Sequence, residues 1–77
     1  MVSIVVTAEW DAEAGVWWAH SDDLPLTTEA PSFDALVERV VAIAPEIAEL
    51  NHVGQPGETV SIDVVARRSA AVILPAA

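Results

Sequence analysis

The sequence contains no cysteine and no lysine, and three tryptophans and one phenylalanine make up its aromatic complement. Without cysteine there are no disulfides and no thiolate metal sites, which suits a reducing, cytoplasmic setting. With only Arg39, Arg67 and Arg68 as cations there is no cluster to neutralise phosphates, so direct binding to nucleic acid or to an anionic membrane is not expected. No apolar run approaches the ~18 residues of a membrane helix. The N-terminus lacks a basic stretch ahead of its apolar segment, so no secretory leader is expected either.

What is present is acid and hydrocarbon. Twelve acids against three arginines give a formal net charge of -9. A surface of that sign suits a basic protein partner, and it also keeps an apolar protein soluble. Hydrophobic residues are 53% of the 77, above the ~45–50% of ordinary soluble domains. A chain this short fits a single domain over residues 1–77 and buries only roughly 60–65% of its unfolded surface. So much apolar surface in so small a domain points to a homodimer or a permanent partner.

The pattern along the chain is β-β-β-α-β: an α+β domain with an antiparallel-rich sheet and one helix on one face. Residues 2–10 (VSIVVTAEW) are β-branched and partly alternating, and 16–21 (VWWAHS) form a second strand across the DAEAG turn at 11–15. A symmetric five-residue loop sets Trp10 opposite Val16 and Ala8 opposite Trp18. Val2, Ile4, Val6, Ala8, Trp10, Val16, Trp18 and His20 then face the core. Ser3, Val5, Thr7, Glu9, Trp17, Ala19 and Ser21 face outward. The register carries the risk, because a slip of one residue inverts a strand's faces.

DDLP at 22–25 reads as a polar turn and LTTEA at 26–30 as a short third strand. Ser32 is a good N-cap for a helix whose apolar residues recur at Phe33, Leu36, Val37, Val40, Ile43, Ala44, Ile47 and Leu50. Asp34, Glu38, Ala42, Glu46 and Glu49 line its polar side. Pro45 predicts a kink near 41–45 or a break into two short helices. Asn51, Gly54, Pro56 and Gly57 end the helix, and 58–67 returns to strand. Its Val60, Ile62, Val64 and Ala66 share one face, and Ser61, Asp63 and Arg67 the other. The apolar tail AAVILPAA could add a further strand or pair with an edge of a second protomer.

No set of residues forms a credible catalytic, cofactor or metal site. His20 with Asp22 and Asp23 has the chemistry of a metal or acid–base site, but adjacent strand residues point in different directions. His20, Ser21 and Asp22 are the residue types of a hydrolytic triad without its geometry, nucleophile elbow or oxyanion glycines. Glu9, Asp11 and Glu13 resemble a two-metal acid cluster but have no basic groove beside them to hold phosphates. Arg67 and Arg68 suit acid pairing or the guarding of an edge strand. Trp17, outward in this register, is the strongest candidate for a partner surface, since tryptophan is enriched at binding hot spots.

Several segments in order resemble the short HicB-like proteins: Trp10-Asp11, Val16-Trp17, Ser21-Asp22-Asp23, Leu24-Pro25, Thr28-Glu29-Ala30, Pro45-Glu46 and Asn51. The resemblance spans nearly the whole chain. It implies a partial ribonuclease-H-like fold, and an antitoxin that blocks a small basic HicA-like RNA-cleaving toxin without enzymatic activity of its own. By that resemblance and the hairpin register, Glu9, Trp17, Ser21, Asp22 and Asp23 would contact the partner. Many such proteins carry a C-terminal DNA-binding domain, for which this chain is too short, so self-repression is not expected. The pattern's Leu-Pro-Gly-Leu stretch here lacks its glycine, reading Leu24-Pro25-Leu26, which calls for a tighter or rerouted turn. A stand-alone dimeric scaffold or regulatory protein with no toxin is the competing expectation.

Overall fold

The computed structural model describes residues 2–76. The element order is β1 (Val2–Asp11), β2 (Val16–His20), β3 (Thr27–Ala30), α1 (Phe33–Leu50) and β4 (Val60–Arg67). The four strands form one sheet in the order β3-β2-β1-β4. The β1–β2 and β2–β3 pairs are antiparallel, while β4 returns through α1 to lie parallel to β1. The β-β-β-α-β expectation holds.

The hairpin register differs from the expected one by a residue. Trp10 pairs with Trp17 and Ala8 with Ala19, and Asp11 stands opposite Val16. The loop is therefore four residues long, because Asp11 serves as both last strand residue and turn former. Its Oδ1 accepts bonds from the N–H groups of Glu13 and Ala14, each at 3.1 Å. Gly15, at φ 68, donates its N–H to the Asp11 carbonyl at 2.8 Å. That left-handed position is one where glycine carries no Cβ penalty.

A side-chain period of two turns this single-residue change into an exchange of faces along β2. Trp17 and Ala19 point to the helix side with Ile4, Val6, Ala8 and Trp10. Val16, Trp18 and His20 point to the open side. The outward placement of Trp17 is thus corrected, and so is the inward placement of Trp18.

Helix α1 forms where the periodicity places it. Ser32 caps it, its hydroxyl accepting from the Ala35 N–H at 3.1 Å. Leu36, Val40, Ala44 and Ala48 are buried, spaced four apart along one stripe. They meet Ile4, Val6, Ala8, Ala19 and Ala30 of the sheet, whose small alanines let the helix sit close. Leu50, expected inward, is 72% exposed, and Ala48 takes the inner place. The helix is a single element through Pro45, with no break. The carbonyl that Pro45 leaves without a donor belongs to Val41, on the exposed side, where water can satisfy it.

The segment read as a polar turn supplies one of the largest fully buried side chains, Leu24, and Leu26, expected to open the third strand, is another and precedes β3. Leu26 donates its N–H to the Leu24 carbonyl at 2.7 Å, a three-residue turn around Pro25. The tail forms no further strand of this sheet: residues 68–76 belong to no element and are exposed. They stretch the molecule to 61 Å against 24 and 18 Å in the other directions. No described helix is long and apolar enough to cross a membrane.

Candidate functional interface

Helix α1 covers one face of the sheet and no described element covers the other. On that open face β1 presents Ser3, Val5, Thr7, Glu9 and Asp11, and β2 presents Val16, Trp18 and His20. Thr27 and Glu29 extend it along β3, and Ser61, Asp63, Val65 and Arg67 along β4. Trp18 is central: it stands beside Glu9 on β1 and Glu29 on β3. The His20 ring stacks on Trp18 with centroids 4.7 Å apart and planes 27° apart. His20 Nε2 lies 2.8 Å from Glu9 Oε2, a diagonal cross-strand pair with both side chains about one-third exposed. Asp11, Trp18, Thr27, Thr28 and Glu29 line a shallow depression. The face thus offers a rigid aromatic plate framed by carboxylates.

The five residues expected to contact a partner take different parts. Glu9 is on the open face, fixed by His20. Trp17 is on the helix side, edge-to-face with Trp10 at 5.6 Å and with Phe33 at 5.7 Å. Arg68 closes that aromatic row from outside, its guanidinium 4.8 Å from the Trp10 ring centroid. Trp17 therefore belongs to a packed aromatic row and not to the outward surface.

Ser21 and Asp23 have a structural task. The β1–β2 ladder ends at Thr7–His20, so Val5 has no β2 residue to bond. Ser21 Oγ donates to the Val5 carbonyl at 2.7 Å, and Asp23 Oδ2 accepts from the Val5 N–H at 2.9 Å. Asp23 in turn donates its own N–H to Ser21 Oγ at 3.1 Å. Two side chains thus replace one missing strand residue, which accounts physically for a Ser-x-Asp spacing at this point. Asp22, between them, is exposed.

These placements also separate the groups weighed for chemistry. The Ser21 and Asp23 side chains are committed to β1 backbone, while His20 turns to Glu9. Among the described residues no three His, Asp or Glu side chains approach as metal ligands. The aromatic plate at Trp18 escapes any reading that counts the turn after Trp10 one residue too long. The signal is present in the sequence: an Asp before a turn can bond N–H groups two and three residues ahead while remaining in the strand.

A family model described as a domain of unknown function, DUF1902, matches residues 3–75. Among solved structures, a hypothetical protein from the extremely thermophilic bacterium Thermus thermophilus is similar at 33% identity. The match has a TM-score of 0.69 and covers 94% of this chain and 99% of that one. No curated protein matches the sequence significantly.

Proposed function

The chain belongs to the DUF1902 family, and on that premise we propose that it is a HicB-like, non-enzymatic binding module that sequesters a small basic protein in the cytoplasm. The partner class is that of a HicA-like RNA-cleaving toxin. The carrying observation is the open face: Trp18 held flat by His20, with Glu9, Asp11 and Glu29 around it, on a chain of net charge -9. An aromatic anchor ringed by polar groups is the usual anatomy of a protein-binding hot spot. A basic partner would be steered toward it by the field of the whole chain.

Co-expression with the product of each neighbouring gene, a small basic protein being the one expected to bind, tests this reading. A co-purifying complex and restored growth are expected. Trp18→Ala should weaken the complex by about 2 kcal/mol or more, the scale of a hot-spot tryptophan. Glu29→Lys should slow association and flatten its salt dependence, since it removes attraction at the rim. An undiminished complex with Trp18→Ala would remove the open face from the interface.

A second reading, a stand-alone homodimeric scaffold, is favoured by a separate observation. Val72, Ile73 and Leu74 of the tail are 83%, 99% and 81% exposed. Three adjacent large aliphatic side chains in water call for a cover.

A further inference from the structure

The two sides of the sheet are finished differently. Helix α1 lies mainly over β3 and β2 and reaches β4 only marginally. No residue of β4 is fully buried: Val60, Ile62 and Val64 are half-covered and Ala66 is exposed. The outer edge of β4 is free for eight residues, since β4 ends the sheet. Natural edge strands are guarded by charged side chains, lysine above all, by proline, by a bulge or by shortness. β4, reading VSIDVVAR, has neither lysine nor proline, it pairs with β1 without a skipped residue, and its two charges, Asp63 and Arg67, are opposite in sign, so they repel a second strand in some registers and pair with it in others. Shortly after it comes the uncharged, exposed stretch of the tail.

We propose that β4 and the tail form a dimerisation edge for a second copy of this chain, the two β4 strands pairing antiparallel about a two-fold axis at Val65. The charge pattern selects that register. Asp63 and Arg67 lie on the same open face, two residues either side of Val65. With Val65 on the axis, Asp63 of each copy stands opposite Arg67 of the other, twice by symmetry. With Asp63 on the axis two carboxylates would face each other. Among the described residues Arg67 is in no ion pair, and its in-register neighbour Glu9 has one carboxylate oxygen bonded to His20. The Val65 side chain, 52% exposed, meets its own copy at the axis.

The same register seats the tail. Each chain leaves its β4 past the start of the other copy's β4, beside the connection at 51–59. That connection folds back on the strand, Gly54 lying against Val60. The exposed Leu50 and half-buried Val53 stand at its beginning. Val72, Ile73 and Leu74 thereby reach apolar surface that the single chain leaves wet. Two copies satisfy one another, because surface and arm belong to the same sequence. The inference is independent of toxin binding, since it concerns the sheet's edge and tail and not the plate at Trp18.

Sedimentation equilibrium of the full chain tests it. The expected mass is twice 8.1 kDa at tens of micromolar. Asp63→Arg sets four arginines at the seam and should weaken the dimer at least about fivefold. That substitution also lowers the net negative charge, so relief of general repulsion would act in the opposite direction. The exchange Asp63→Arg with Arg67→Asp should restore the dimer. A triple change of Val72, Ile73 and Leu74 to Asp should yield monomer with unchanged circular dichroism, because these side chains are already exposed in the single chain. A monomeric wild type overturns the proposal. So does a dimer indifferent to both Asp63→Arg and the tail changes.

Discussion

The β3 side and the β4 side of this sheet are built from similar residues and reach different degrees of completion. Around β2 and β3 the chain buries Ala19, Leu24, Leu26 and Ala30 beneath α1, and Ser21 and Asp23 tie the turn to β1. Every member of the fully buried core lies between residues 4 and 48. β4 brings Val60, Ile62, Val64 and Val65 and fully buries none of them. β-branched composition makes a strand, but what lies above it decides whether it joins a core. A domain of this size has one helix for a four-stranded sheet, and α1 is placed mainly over β3 and β2.

The largest test of that contrast compares Leu36→Ala with Ile62→Ala. Leu36 is 0% exposed in the middle of the core, and its truncation should cost about 3 kcal/mol or more. Ile62 is half-covered, and its truncation in the monomer should cost about 1 kcal/mol. Denaturant unfolding of a monomeric background, such as the triple tail variant, measures both. Equal losses would mean that β4 is as integral as the hairpin.

The next test separates the two faces of the same strand. Trp17→Ala removes contacts with Trp10 and Phe33 on the helix side and should cost about 2 kcal/mol. Trp18→Ala removes an open-face plate resting on His20 and should cost below about 1 kcal/mol. The opposite ranking would restore the five-residue loop and its register.

That pair also marks how far the sequence can be read. The element order, the helix from Phe33 to Leu50, the Ser32 cap and the alternation within β4 all follow from local periodicity and capping chemistry. The face of Trp17 and Trp18 does not, because it hangs on a loop count that Asp11 makes ambiguous by acting in strand and turn at once. Leu24 is hidden among Asp22, Asp23 and Pro25, where composition signals a solvated turn and only the tertiary fold turns the leucine inward. Of the open face, the acidic character is legible, while its tryptophan lies one residue beyond the one that the pattern selects. The structural duty of Ser21 and Asp23 depends on where the β1–β2 ladder stops, which no local pattern records.

A smaller effect is expected at that ladder's end. Asp23→Ala leaves the Val5 N–H without its acceptor and should cost about 1 kcal/mol. Amide exchange at Val5 should quicken with it. Asp22→Ala, changing the exposed neighbour, should leave both stability and exchange nearly unaltered. If Asp22→Ala matched Asp23→Ala, the turn would not be the graft that completes β1.

The smallest effect sits at the junction between the finished and unfinished sides. Helix α1 ends with the His52 N–H donating to the Glu49 carbonyl and the Val53 N–H to the Ala48 carbonyl. This paired closure places its turning residue in left-handed conformation, and His52 has φ 56. A Cβ there costs about 1 kcal/mol relative to glycine, part of which glycine returns through the entropy of the unfolded chain. His52→Gly should therefore raise stability by about 0.5 kcal/mol, or roughly 2–4 °C in Tm for a chain this short. His52→Ala is the control, since it keeps the Cβ and removes the imidazole. If alanine stabilised as much as glycine, the gain would come from losing the ring and not from relieving the backbone. Glycine alone stabilising would show that the covered half of the molecule carries backbone strain in order to turn its chain toward β4.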